Sequence, residues 1–222
     1  MTKYSKDLEY IKETMEKATK FRSVNGLGVF GAGLVASLGS AFLWRLMRKE
    51  FGFVHETWQP LVQTIFLTLA AILVLAVLII AVSSWRTAKA NGENVFGKTA
   101  GHTLYNFLLP LSVGAVVALF FLYCGRVRFA FLFSLIFYGL ALVNASKFTF
   151  NELHWLGLCE MAIGLAGMLS MGRRIFRWAD SYVHVVAATL DSVLWWAAGF
   201  GLLHIVFGLW IYFKYNRKRA AK

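Results

Sequence analysis

Two ionisable residues stand inside strongly apolar stretches of the sequence. Glu160 lies in WLGLCEMAIGLAG and His204 lies in GFGLLHIVFG. A carboxylate among lipid-like side chains is unfavourable unless it is protonated or paired, so such a glutamate marks a functional site by default. His204 is its expected partner, provided that the two segments pack side by side. The pair could bind a proton or a small ligand, or it could be a structural hydrogen bond.

The other residues that could do chemistry do not form a recognised motif. The sequence has no Walker A loop, no HExxH, no GxGxxG after a strand and no GxSxG. Haem ligation by two histidines needs imidazoles at matching depth, and only His204 is deep. Asp180, His184 and Asp191 share a helical face and could hold a divalent cation, although a solvated face is the preferred interpretation. We therefore predict no catalytic residue, no metal and no cofactor.

The composition indicates which elements must position these residues. Of the 222 residues, 59% are hydrophobic and 15% are charged, which is typical of a multi-pass membrane protein and leaves no separate soluble domain. The 23 basic residues outnumber the 11 acidic ones. In a soluble protein this excess would suggest nucleic acid, but here the charges stand in loops and tails. We therefore expect anionic lipid headgroups as partners, and no nucleic acid.

The hydropathy pattern predicts an all-α membrane protein with six transmembrane helices. The apolar runs cover residues 27–47, 61–85, 103–124, 129–146, 153–171 and 192–213. Residues 1–26 precede them as a charged amphipathic helix, and 214–222 follow as a basic tail. Polar and apolar residues separate onto two faces at about 173–190, which predicts an interfacial helix there. The short GRVR turn predicts that the third and fourth spans form a helical hairpin.

The distribution of lysine and arginine predicts the orientation in the membrane. With the N-terminus inside, 15 basic residues fall on the inner side and 8 on the outer side. The positive-inside rule then places both termini in the cytoplasm. The cluster Lys214, Arg217, Lys218 and Arg219 follows the last span directly, where it would bind anionic headgroups.

Small residues recur along one face of the first span at every fourth position, namely Gly28, Ala32, Ala36 and Ser40. Such a stripe lets two helix backbones approach closely. We expect it to pack against a helix of the same bundle, and the alternative is a homodimer seam. Pro110 removes a backbone donor within the third span, so it should free a carbonyl near the inner end. Cys124 and Cys159 are expected to be free thiols.

Several blocks resemble a family of uncharacterised bacterial multi-pass integral membrane proteins. They are FGKTAGHTLYNFLLPLSVGA, FYGLALVNASKFT, LHWLGLCEMAIGLAG and GFGLLHIVFGLWIYFKY, with YIKETMEKATKFRSVNGLGVFGAG near the start. Residues 172–191 depart from the family's pattern, in which the corresponding link is shorter. The resemblance implies a bacterial cytoplasmic membrane and no assigned activity.

The sequence is compatible with two candidate functions. The preferred one is a non-enzymatic membrane sensor or regulator, in which residues 1–20 contact a cytoplasmic protein partner. The alternative is a small permease or channel, oligomeric in the membrane, in which Glu160 and His204 bind a proton or a solute. An intramembrane enzyme would need a nucleophile or cofactor that the sequence does not display.

Overall fold

A computed structural model describes residues 25–50, 58–90, 98–149, 151–177 and 182–216. The predicted amphipathic helix over 1–26 therefore lies almost wholly outside the described residues, as does most of the basic tail. The described part of the chain is almost entirely helical and contains no strand.

Six long apolar helical rods account for the described residues. Their segments are α1 (Gly26–Glu50), α2 (Trp58–Ala90), α3 (Lys98–Tyr123), α4 (Val127–Ala145) with a 3-10 turn (Ser146–Phe148), α5 (Asn151–Arg177), α6 (Tyr182–Trp196), a first π-helical segment (Ala197–Leu203), α7 (His204–Ile211) and a second π-helical segment (Tyr212–Asn216). The last four segments form one continuous rod over 182–216, called the last rod below. All six rods are long and apolar enough to cross a membrane, so the predicted number of long apolar helices is confirmed.

The predicted interfacial helix at about 173–190 is wrong. Residues up to Arg177 continue α5, and residues from Tyr182 belong to the last rod. Within α6, Ala188 and Thr189 are buried in the bundle. Charged residues such as Arg173 end the apolar run in the sequence, but helical hydrogen bonding continues beyond the last apolar turn. The fifth and sixth helices are consequently longer than the hydropathy pattern predicts.

The rods divide into four core helices and two outer helices. The core helices are α1, α4, α5 and the last rod: the last rod contacts the other three, and α4 packs against α5, while α2 packs mainly on α1 and α3 on α4. Half of the residues in the apolar window of α4 are buried, against 6% in that of α3 and 11% in that of α2. The outer helices therefore present most of their apolar surface to the surroundings, as lipid-facing helices do.

The turn between α3 and α4 shows why these helices form the predicted hairpin. Gly125 has φ 67°, a left-handed conformation that glycine adopts without a steric penalty. Its N–H donates to the Leu122 carbonyl at 3.0 Å, and the Arg126 N–H donates to the Phe121 carbonyl at 2.8 Å. This pair of bonds is a Schellman motif, which satisfies the last carbonyls of α3 and reverses the chain within three residues.

A hydrogen bond near the end of the hairpin opposite its turn compensates for Pro110. Proline at this position cannot donate to the Asn106 carbonyl, four residues earlier. The Asn144 side-chain amide of α4 donates to that carbonyl instead, at 2.9 Å. The freed carbonyl predicted from the sequence is therefore satisfied by the neighbouring helix.

Glycines set the closest approaches between core helices. A Cβ added at Gly139 of α4 would lie 2.5 Å from the Gly157 carbonyl oxygen of α5. A Cβ added at Gly157 would lie 2.6 Å from the Gly139 carbonyl oxygen. A Cβ at Gly33 of α1 would lie 2.7 Å from the Ile205 nitrogen of the last rod. Side chains at these positions would force the backbones apart, so the glycines bring α4 against α5 and α1 against the last rod.

Candidate functional site

The structure brings Glu160 and His204 into contact in the middle of the core. His204 Nδ1 lies 3.1 Å from Glu160 Oε1. The Glu160 side chain is completely buried, and that of His204 is 4% exposed. The sequence names His204 as the candidate partner but does not fix the relative heights of the two residues; the structure places them in contact, although the segment 172–191 separates their helices in the sequence.

An ion pair at one end of the same two helices serves as a reference point for how far inside the bundle Glu160 and His204 lie. Lys214 Nζ lies 2.5 Å from Glu152 Oε1. Glu160 is eight residues beyond Glu152, and His204 is ten residues before Lys214. At a rise of 1.5 Å per residue, the buried pair is about 12–15 Å from the ion pair. Glu160 and His204 therefore lie well inside the bundle, away from this end of the two helices.

Tyr138 of α4 is a third member of the site, and the sequence analysis missed it. Its hydroxyl lies 2.9 Å from His204 Nε2. A signal was present in the sequence, because tyrosines in membrane helices concentrate at the boundaries whereas Tyr138 falls inside a predicted span. What the sequence does not contain is the rotation of α4, which decides whether a tyrosine faces lipid or the bundle.

The surroundings of His204 decide which ring nitrogen carries hydrogen. Nδ1 faces two oxygens, the Glu160 carboxyl at 3.1 Å and the Gly199 carbonyl at 3.1 Å. A carbonyl can only accept a hydrogen bond, so Nδ1 must be the donor to it. In a neutral imidazole, Nε2 is then the acceptor and the Tyr138 hydroxyl donates to it. The geometry thus fixes one tautomer of the neutral ring.

Glu160 has fewer hydrogen bonds than His204. Within the described part of the chain, neither of its carboxyl oxygens has a hydrogen-bond partner of acceptable geometry, and the contact with His204 is the ion-pair contact alone. A buried polar group ordinarily has at least one hydrogen-bond partner, so this carboxyl is an exception within the described bundle.

Aromatic rings and glycines close the site. The rings of Tyr138 and Phe200 have centroids 4.8 Å apart, and Phe200 and Trp196 are 4.9 Å apart. Trp196 Nε1 donates to Ser134 Oγ at 3.1 Å and so ties the last rod to α4 just outside the site. A Cβ at Gly199 would collide with Glu160 Oε2, because the first π-helical segment passes directly over the carboxyl.

The small-residue stripe of α1 is accounted for within one chain. Gly28, Ala32, Ala36 and Ser40 are all buried in the bundle. A Cβ at Gly28 would meet Ser83 of α2. This burial favours packing inside the bundle, as expected, over the homodimer seam.

The remaining candidates are placed as follows. Lys214 pairs with Glu152, while Arg217, Lys218 and Arg219 lie outside the described residues. Asp180 also lies outside them, and His184 and Asp191 are part of α6. Among the described residues no three His, Cys, Asp or Glu side chains form a group that could hold a metal. Cys124 and Cys159 are exposed free thiols, as predicted.

Comparison with known proteins supplies no further assignment. No protein-family model, curated protein or solved structure matches the chain. Function is therefore inferred from the site.

Proposed function

We propose that this chain is a non-enzymatic multi-pass protein of the bacterial cytoplasmic membrane that senses proton binding at Glu160 and His204. One observation carries the proposal: a fully buried carboxyl with no hydrogen bond in the described structure lies 3.1 Å from an imidazole deep inside the helical bundle. Buried ionisable groups in such positions are enriched at functional sites.

A proton fits this site better than a larger ligand. Both side chains are closed off from solvent, and the neighbouring glycines are used for helix contacts rather than for open space. A proton needs no cavity, yet its arrival changes the charge of the pair by one unit. In surroundings of low dielectric constant this change alters the strength of every contact around the pair.

The first π-helical segment is the element through which we propose that the change is transmitted. Gly199 of this segment lies against Glu160, and the segment runs directly into His204. π-Helical turns are rare and occur frequently at functional sites. Ionisation of Glu160 would favour rotation of the segment, and with it a change in the packing of the last rod against α4 and α5.

A proton-coupled permease is the second candidate, and the same segment favours it. Transporters commonly place their binding sites where a membrane helix loses regular α geometry near the midplane. The last rod does so beside Glu160 and His204. The two candidates differ in whether protons cross the membrane, which can be measured directly.

The first test is a distance measurement at controlled pH. With Cys124 and Cys159 replaced by serine, spin labels would be attached at Leu202 of the first π-helical segment and Leu165 of α5, both exposed. We expect the label separation to change as pH is lowered, and to become independent of pH in Glu160→Gln. Labels at Leu38 of α1 and Leu67 of α2 should report a constant distance in the same samples.

The matched control variant is Glu152→Gln, which removes the other buried glutamate of α5 but leaves the site unchanged. It should retain the pH-dependent distance. If wild type and Glu160→Gln respond identically to pH, the proposed sensor is rejected. If wild-type proteoliposomes dissipate a pH gradient and Glu160→Gln proteoliposomes do not, the permease is the better assignment.

The topology and partners belong to the same proposal. Both termini are placed in the cytoplasm by the basic-residue distribution, with Lys214, Arg217, Lys218 and Arg219 at the headgroups of anionic lipid. Residues 1–20 are proposed to contact a cytoplasmic protein partner, and the chain to form a homo-oligomer. Capture of the same partner by full-length and residue-21–222 protein would reject the role of the N-terminal segment.

A further inference from the structure

One exposed face of α2 has the shape and charge of a phospholipid site. We propose that this face binds an anionic phospholipid, with the acyl chains along the apolar side chains and the headgroup at two cations. The face, called the α2 stripe below, comprises exposed residues only, namely Leu75, Leu78, Val82, Trp85, Arg86 and Lys89. The inference rests on the membrane placement in the proposed function and adds to it a particular helix and a class of lipid.

The direction of the α2 stripe follows from the position of Thr87. Asn25 Nδ2 at the start of α1 donates to Thr87 Oγ1 at 2.9 Å, so Thr87 faces α1. Successive residues of an α-helix are about 100° apart around its axis. Trp85 and Lys89 stand two residues before and two residues after Thr87, so both point about 160° away from it. The pair therefore lies on the side of α2 that is turned away from α1.

The apolar part of the α2 stripe has the length of one lipid leaflet. Leu75, Leu78, Val82 and Trp85 follow one another at helical spacing and are all exposed. From Leu75 to Trp85 the helix rises about 15 Å, which is half of a hydrocarbon core about 30 Å thick. The stripe can therefore contact the acyl chains of a single lipid along their whole length.

An indole and two cations stand at the end of the α2 stripe. Lys89 Nζ lies 5.7 Å from the centre of the Trp85 ring. Arg86, three residues before Lys89, is its neighbour on the helix surface. Tryptophan rings concentrate at the level of the lipid headgroups, and long basic side chains extend past that level to reach phosphate. The order along the helix is apolar, indole and cation, which matches a phospholipid from acyl chain to phosphate.

The charges favour an anionic headgroup over a zwitterionic one. The helix α2 contains no aspartate or glutamate between Trp58 and Ala90, so its two cations have no acidic neighbour within their own helix. The last rod carries a similar pair, in which Lys214 Nζ lies 5.4 Å from the Trp210 ring. There, however, Lys214 is already paired with Glu152. A headgroup with a net negative charge is therefore most complementary to the α2 stripe.

Site-specific photo-crosslinking tests the proposal. Full-length protein carrying benzoylphenylalanine at Val82 would be placed in nanodiscs that contain equal amounts of phosphatidylglycerol and phosphatidylcholine with identical acyl chains. After irradiation, the captured lipids would be quantified by mass spectrometry. We expect phosphatidylglycerol to exceed its bulk proportion by about five-fold or more. The enrichment should fall about five-fold in Lys89→Gln, because one cation near anionic headgroups contributes about 1 kcal/mol. Lys89→Arg keeps the charge and should retain the enrichment.

Two controls separate the α2 stripe from general effects of lipid and charge. A probe at Leu67, which is exposed in the half of α2 that carries no cation, should capture the two lipids in their bulk proportion. Lys147→Gln makes the same change of charge at an exposed lysine of the 3-10 turn after α4. It should leave the capture at Val82 unchanged.

The possible failures have different meanings. Capture in bulk proportion at Val82 overturns the inference and leaves the membrane placement intact. An enrichment that persists in Lys89→Gln, or that is lost equally in Lys147→Gln, also overturns it, since the two cations of the α2 stripe would then not select the lipid. If the probes at Val82 and Leu67 both capture no lipid, the membrane placement itself is rejected.

Discussion

Some polar side chains of the core helices form hydrogen bonds between rods, which two mid-span side chains of the outer helices do not. In the core, Tyr138 lies 2.9 Å from His204 and Trp196 donates to Ser134 at 3.1 Å, although Ser40 donates within its own helix to the Ala36 carbonyl at 2.6 Å. On outer α2, Thr68 donates to the carbonyl four residues earlier, at 2.7 Å. On outer α3, Ser112 donates to the Leu109 carbonyl at 2.9 Å. Residues of similar chemistry thus determine tertiary structure in one region and only complete their own helix in the other.

The comparison teaches that residue type alone does not mark function in a membrane helix. A hydroxyl that bonds to its own backbone can face lipid at little cost, whereas one that bonds across a helix contact fixes the orientation of both helices. The same substitution should therefore have different consequences in the two regions.

The largest contrast is expected between two glycine-to-alanine changes. Gly139→Ala places a methyl group 2.5 Å from the Gly157 carbonyl oxygen, where backbone must shift, whereas the Cβ at Gly101 of α3 meets nothing within 4 Å. We expect Gly139→Ala to lower the free energy of unfolding by about 3 kcal/mol. Gly101→Ala should leave it unchanged or raise it by up to about 1 kcal/mol. Reversible unfolding in detergent measures both, and equal values would contradict the division into core and outer helices.

A smaller contrast is expected between two serine-to-alanine changes. Ser134→Ala removes the acceptor of the Trp196 indole N–H, which then has no described partner in a buried position. The expected loss is about 1 kcal/mol. Ser112→Ala removes only a bond to its own helix and should be neutral within about 0.5 kcal/mol. The check is the difference in melting temperature between the two variants, and a larger loss in Ser112→Ala would reverse the comparison.

The smallest effect is expected at the end of the core where Lys214 pairs with Glu152. Lys214→Gln breaks the ion pair with Glu152, but the Lys214 side chain is 44% exposed and the interaction is screened. We expect a loss of about 0.5 kcal/mol that shrinks as salt concentration rises. Lys89→Gln on α2, whose ammonium lies 5.7 Å from the Trp85 ring, should change stability by less. A loss that does not depend on salt would show that the Glu152 pair is shielded from solvent.

The sequence predicts the parts of this structure that depend on length and composition. The six long apolar helices, the hairpin at Gly125 and the freed carbonyl at Pro110 follow from local rules, and the structure contains all three. His204 could be named as the candidate partner of Glu160 because few ionisable residues lie deep in an apolar run, but the sequence did not fix whether the two residues meet. The third member, Tyr138, was not, because its role depends on how α4 is rotated in the bundle.

The error at 173–190 has a different physical origin. Hydropathy reports where a chain segment prefers to be, whereas a helix ends where its backbone hydrogen bonds end. Arg173 makes its segment polar without interrupting α5. Ala188 and Thr189 belong to the segment whose alternating pattern predicts an amphipathic surface helix. In the structure both residues are buried against neighbouring core helices.

The bond from Asn144 to the Asn106 carbonyl has a consequence for biogenesis. Proline in α3 leaves a backbone acceptor that would face hydrocarbon unsatisfied if α3 entered the membrane alone. The donor that satisfies it stands on α4, the very next helix in the chain, and the turn at Gly125 holds the two together. The hairpin can therefore partition into the bilayer as a pair with this acceptor already bonded, before the ribosome has delivered α5.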